Sequence, residues 1–313
     1  MSHRRSCARG TFWLLLAAVS QVTLACERTT PASRRDSASA AVSAAASSGT
    51  SSGLEENWVK DAGPALLVRG DGVDQAVVLS PGGPDSAGDV LQPFVGALDN
   101  VTLLGRGGLR LTATLDEPLP SFDSECAVWT LRDLKGSSPS RAWSVGFISA
   151  LVTTLPLDSV ESLSARDSMA LVAEVARLAS SVTAPTAPEF QGLRFSAHDI
   201  RRFEPAPGVA ALVAHLIRRV NQEANPREEQ TLLIAERDSG VNAGSYKLAY
   251  AERVHALEEK ITTPEVFGAV RIHGRPMLIV ARDSEVGVSY SLVERTGSGH
   301  WRLRWTSAPT RCA

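Results

Sequence analysis

Six strand-like segments crowd into the last third of this chain with almost nothing between them, and that spacing limits the fold more than any other feature. They occupy 231–236, 246–254, 266–272, 276–282, 288–294 and 300–306. Connections such as His273-Gly274 and Gly297-Ser298-Gly299 hold two or three residues. A parallel pair needs a crossover of about a dozen residues or more, commonly a helix. Neighbours joined this tightly run antiparallel, which excludes a doubly wound parallel sheet here.

The first half gives the same signal in shorter pieces. Apolar runs at 65–69 and 75–79 are separated by Gly70-Asp71-Gly72, a turn signal, and a Pro/Gly-rich loop follows at 81–88. Segments 101–104 and 109–115 read as a hairpin around the glycines of 105–108. Within it Leu109, Leu111, Ala113 and Leu115 alternate with Arg110, Thr112 and Thr114, the period of a half-buried strand. Another pair, 126–131 and 142–148, brackets a polar turn at 135–140. Trp143 to Ser149 echoes Trp301 to Ser307 in its aromatic spacing, through duplication or because both strands obey the same two-residue burial rule.

Between these regions the period changes. Leu171, Val172, Val175, Leu178, Ala179 and Val182 fall at helical spacing, Ser164 with Asp167 supplies a cap, and Pro185 and Pro188 stop the run. A helix is expected over 165–182. Leu212, Val213, Leu216, Ile217 and Val220 also fit a helix within 209–224, with a strand as the alternative. The expected fold class is α+β: mainly antiparallel strand meanders, 54–155 and 226–313, flanking a helical middle segment at 156–225.

The amino terminus speaks to location. Arg4, Arg5 and Arg9 precede an apolar run from Phe12 to Val19, and Ala25 sits directly before Cys26. The run is far short of the about 20 residues that span a bilayer, but suits the core of a signal peptide. The stretch Thr23-Leu24-Ala25-Cys26 resembles the lipobox of bacterial lipoproteins. That resemblance implies a type II signal peptide over 1–25, and a diacylglyceryl group and further acyl chain such as palmitate on Cys26. Two or more acyl chains anchor a protein stably where one holds it only marginally. Glu27, in place of aspartate, favours the outer over the inner membrane by the same resemblance. The competing reading is an ordinary signal peptide cut near Ala25, leaving Cys26 a plain thiol. Residues 26–53 read as a disordered linker: 36–53 alone hold seven serines and six alanines, too little apolar surface to offset the entropy of ordering. The folded part is expected over 54–313.

Charge and cysteines narrow the partners. Removing residues 1–25 takes away three arginines and no acid, which carries the formal charge from −2 to −5. A mildly acidic product argues against nucleic acid and against a polybasic membrane patch. Cys126 and Cys312 would remain in a compartment where disulfides persist, and a bridge between them is the favoured reading over two unrelated thiols.

Chemistry-bearing motifs are few. The sequence holds no His-Glu-x-x-His, no Cys-x-x-Cys and no Walker loop, so no metal or other cofactor is expected. The acidic pairs Glu228-Glu229, Glu258-Glu259 and Asp116-Glu117 read as solvated faces. Tyr290, Trp301 and Trp305 lie on neighbouring segments and form either part of the core or a stacking platform for a ligand. The function that follows is a membrane-anchored extracytoplasmic binding or envelope-structural module. Its partners are the membrane through the anchor, and an envelope protein or a small ligand. An extracytoplasmic hydrolase with a dispersed active site is the alternative.

Overall fold

The computed structural model describes residues 66–79, 100–105, 109–118, 128–136, 143–148, 152–183, 186–220, 225–240 and 244–311. Cys26, Cys126, Cys312 and the 26–53 linker lie outside the described residues. Strands dominate, all pairing antiparallel, with one α-helix among the described residues, α1 (Ala165–Ser180).

Six short strands close into a barrel: β1 (Leu66–Arg69), β2 (Gln75–Leu79), β3 (Val101–Leu104), β4 (Arg110–Pro118), β5 (Val128–Lys135) and β6 (Val145–Phe147), in the order β1-β2-β5-β4-β3-β6. Its interior takes Leu67, Val78, Leu103, Leu111, Leu115 and Trp143. The Trp143 indole N–H is satisfied by the Val73 carbonyl at 2.7 Å. Leu66, Val68, Val77 and Phe147 point outward yet are also buried, against the next layer. Burial on both sides explains why 66–68 and 76–79 are apolar at every position instead of alternating. Gly146 lies between β1 and β3, opposite Leu67 and Leu103. A Cβ there would meet Leu103 Cδ2 at 2.7 Å and Leu67 Cβ at 3.2 Å, so glycine lets these two side chains pack closely over β6.

Two five-stranded sheets follow. Sheet I runs β16-β15-β14-β13-β7, built from β7 (Val152–Thr154), β13 (Thr263–Ile272), β14 (Arg275–Ser284), β15 (Gly287–Gly297) and β16 (His300–Thr306). Sheet II runs β12-β11-β10-β9-β8, built from β8 (Asp158–Ser159), β9 (Ser196–Ala206), β10 (Val209–Val220), β11 (Arg227–Asp238) and β12 (Lys247–Leu257). One face of sheet I, with Ile272, Ile279, Leu292 and Trp305, receives the barrel. Its other face, with Leu278, Val280, Val293 and Trp301, packs on Val213, Leu232 and Ile234 of sheet II. The outer face of sheet II, with Leu212, Leu216 and Leu233, lies under Val175, Leu178 and Ala179 of α1. The layers therefore run barrel, sheet, sheet, helix.

The expected helical middle is corrected by this arrangement. The helix at 165–180 forms, capped by the Ser164 hydroxyl oxygen accepting from the Asp167 backbone N–H. The remainder of 156–225 contributes β8, β9 and β10, and 209–220 is a strand. β10 is central in a sheet covered on both faces, so it is apolar almost throughout, and such a run satisfies helical spacing as readily as strand spacing. The fold is mainly β, and the α+β label overstates its helix.

Strand assignment also reverses the reading of Glu228 and Glu229. Both are buried, facing Arg219 and Arg218 in register across β10 and β11. Arg218 pairs with Glu229 at 2.6 Å, and Arg219 with Glu228 at 2.5 Å on the opposite face. Glu258 and Glu259 are exposed in a 3₁₀ turn, as expected.

Candidate functional site

Ionic pairing in the two sheets is nearly complete, and its gaps fall in one place. Thirteen arginines lie on β9–β16, and ten of them sit within 4.0 Å of a carboxylate. Arg202, Arg237 and Arg271 are the three with no carboxylate partner among the described residues. All three line the same cleft, of about 950 Å³.

Register explains how they meet. Arg202 on β9 stands opposite Leu212, and Arg237 on β11 stands opposite Ala210, with β10 between them. Leu212 belongs to the face under α1, and alternate residues share a face, so both arginines project from the helix-covered side of sheet II. α1 covers that face from Leu212 to Leu216. Towards the hairpin end of β9 and β10, the covering is the start of α1 (Asp167, Ala170, Leu171) and the 155–158 connection, and the cleft opens there. The hairpin turns on Pro207-Gly208, where Gly208 has φ 75°, the left-handed geometry that glycine supplies without strain. Arg271 arrives from β13 of the other sheet and donates to the Glu204 carbonyl at 3.2 Å.

The polar groups are held in different ways. The Arg237 guanidinium stacks on Tyr246, 4.4 Å from the ring centroid, which fixes its plane. Burial pushes the Tyr246 phenol above its ordinary pKa, with the Arg237 guanidinium acting in the opposite direction. The Nε atoms of Arg202 and Arg237 are buried and have no hydrogen-bond partner among the described residues. Asp167 is engaged by the Ser164 hydroxyl at 2.7 Å, and Glu204 accepts from the Gly208 N–H at 3.1 Å. Asp158 faces Arg202 in backbone register without forming an ion pair among the described residues. The remaining wall is largely apolar, including Leu155, Leu163, Leu171, Phe203 and Val209. Chemically the cleft sets guanidinium forks, which suit carboxylate and phosphate oxygens, beside apolar surface and three carboxylates of its own.

The arginines of the structural pairs differ in kind. Glu236 is buried where the two sheets meet and accepts from Arg295, the Gly299 N–H and the Trp301 indole N–H. Burial alone would raise its pKa, but these donors together hold the carboxyl below its usual range. Every oxygen of that carboxylate has a partner, which is the condition for a buried charge to hold a fold together.

The aromatic trio expected as core or platform is buried throughout. Tyr290 and Trp305 face the barrel, whereas Trp301 faces sheet II. The register shift between β15 and β16 at Leu292/Val293, which lies between Trp301 and Trp305, breaks the parity that would have aligned the two tryptophans. The three share no surface. Sequence reading did not find Arg202, Arg237 or Arg271. Arg201-Arg202 and Arg237 look like any solvated charge until β9, β10 and β11 are registered and the carboxylates are assigned. Among the described residues no group of three or more His, Cys, Asp or Glu could hold a metal ion, and no helix is long and apolar enough to cross a membrane. Comparison of the chain with protein-family models, curated proteins and solved structures finds no match in any of the three.

Proposed function

We propose that the chain is a membrane-tethered extracytoplasmic binding module, anchored through Cys26, whose cleft beside α1 takes a ligand carrying a negative charge. One observation carries the binding half: the three arginines of sheets I and II with no carboxylate within 4.0 Å among the described residues all line one cleft. Buried or half-buried guanidinium groups left without an acid weaken a fold unless something else answers their charge. A site kept for use is a common reason for such a local violation of good packing. The lipobox resemblance supports the tether, and the Ala/Ser-rich linker supports a domain held away from the bilayer.

Binding is tested by calorimetric titration of acetate, citrate and inorganic phosphate into the purified protein at low salt. At least one anion is expected to bind, the double variant Arg202→Gln/Arg237→Gln to lose at least tenfold in affinity, and Asp158→Asn to gain. Anions that bind parent and double variant alike, or none that bind, would overturn the reading. The tether is tested by fractionation: Cys26→Ser is expected to move the protein out of the membrane fraction, and retention there would contradict it.

A further inference from the structure

We infer, resting on that reading, that the ligand is an amphiphile: a single oxyanion head, carboxylate or phosphate monoester, on an apolar body. The cleft lining holds both kinds of surface. Arg202 and Arg237 flank β10 on one face, two strands apart and offset by two residues along it, so their backbones stand about 12 Å apart, a span that two arginine side chains can close around one head group. Arg237 is oriented by its stack on Tyr246, and both Nε–H groups are buried without an acceptor among the described residues. Of the three acids in the lining, Asp167 and Glu204 are occupied by Ser164 and Gly208. The third, Asp158, faces Arg202 in backbone register without an ion pair among the described residues. Apart from Arg202 and Arg237 the lining includes Leu155, Leu163, Leu171, Phe203 and Val209, and the third arginine, Arg271, is engaged by the Glu204 carbonyl at 3.2 Å.

Size points the same way. A cleft of about 950 Å³ is at the upper end of the range for drug-sized ligands, about 300–1,000 Å³, and far larger than acetate or inorganic phosphate needs. A small anion would leave the apolar wall wet, whereas a hydrocarbon or aromatic body would cover it. A neutral lipid would cover the wall and leave the guanidinium groups desolvated and unanswered, which is costly. Only a molecule with both parts answers both halves of the lining.

The test is a titration series with decanoate, decyl phosphate, decanol, acetate and inorganic phosphate, each below its micellar concentration. It uses the full chain carrying Cys26→Ser, so that no acyl group of its own competes. Decanoate or decyl phosphate is expected to bind at least tenfold more tightly than decanol and than the matching small anion. Which of the two wins distinguishes a free fatty acid from a phosphorylated lipid. Ala170→Trp, at an exposed position lining the cleft, is expected to weaken the ten-carbon ligands and leave acetate unchanged; equal loss for both would contradict a tail site. Decanol equal to decanoate would overturn the inference by showing that no head is read. Acetate or phosphate equal to their decyl counterparts would overturn the inference but leave the anion reading in place. No binding by any of the five would remove both. Arg202→Gln/Arg237→Gln serves as the head-group control once its thermal transition matches the parent, and the five ligands on the parent decide the matter if it does not fold.

Discussion

At the scale of single residues, the molecule separates charges that hold the fold from charges that do not. Glu236 represents the first kind. Its carboxylate satisfies donors from β15, β16 and the turn between them. Glu236→Ala would leave the Arg295 guanidinium buried and unpaired, and is expected to cost about 3–5 kcal/mol in urea unfolding. The surface pair Glu174–Arg177, one turn apart on α1, is screened by solvent and would cost little if broken. His215 is a third case. It is 3% exposed in the sandwich, where its Nε2 meets the Gln230 side-chain oxygen at 3.0 Å, with the His198 ring 5.2 Å away. Burial lowers its pKa below the ordinary 6.5, the Gln230 contact opposing only in part. The unfolded chain therefore takes up this proton more readily than the native one. The stabilisation is fully present above about pH 6.5 and is lost as pH falls from there towards the lowered native value. The unfolding free energy is expected to decline on acidification already between about pH 6.5 and 5, above the window of the carboxylates lowered in the fold, Glu174 and Glu236. In His215→Gln that early decline should be reduced, and an unchanged slope would contradict the assignment.

At the scale of elements, turns and caps were the most legible parts of the sequence. Ser164 and Asp167 mark the start of α1, and His273-Gly274 marks a two-residue hairpin whose flanks, Ile272 and Arg275, pair directly. Both turn residues have positive φ, 50° and 76°, the geometry that matches the twist of the strands on either side. Gly274→Val puts a branched side chain into that conformation. It is expected to cost about 1 kcal/mol or more in stability even though no atom lies in the way of a Cβ. Meander strands such as β14 and β15 could be read because their turns were short. β10 could not, because its central position erases the polar–apolar alternation that distinguishes strand from helix. Read as a helix within 209–224, the alternative to a strand, this stretch gives no register that sets Arg218 opposite Glu229 and Arg219 opposite Glu228, and the two acids read as a solvated face.

At the scale of the whole molecule, the sequence announced antiparallel meanders but not how their faces are shared. Leu66, Leu67 and Val68 are each buried, two towards sheet I and one into the barrel, and no local pattern separates those destinations. Barrel closure depends on pairings such as Leu66 with Phe147, 81 positions apart in sequence, which turn signals do not encode. The cleft was hidden for a related reason: Arg202, Arg237 and Arg271 come from three strands in two sheets. Their common trait, the lack of a carboxylate within 4.0 Å among the described residues, is a property of the folded neighbourhood. The central claim is that these arginines serve a ligand and not the fold. Urea unfolding of Arg202→Gln/Arg237→Gln beside Arg295→Gln tests it most directly. The account predicts that the double variant stays within about 1 kcal/mol of the parent, while Arg295→Gln, which strips Glu236 of its charged partner, loses about 3 kcal/mol or more. A loss in the double variant as large as that of Arg295→Gln would contradict it.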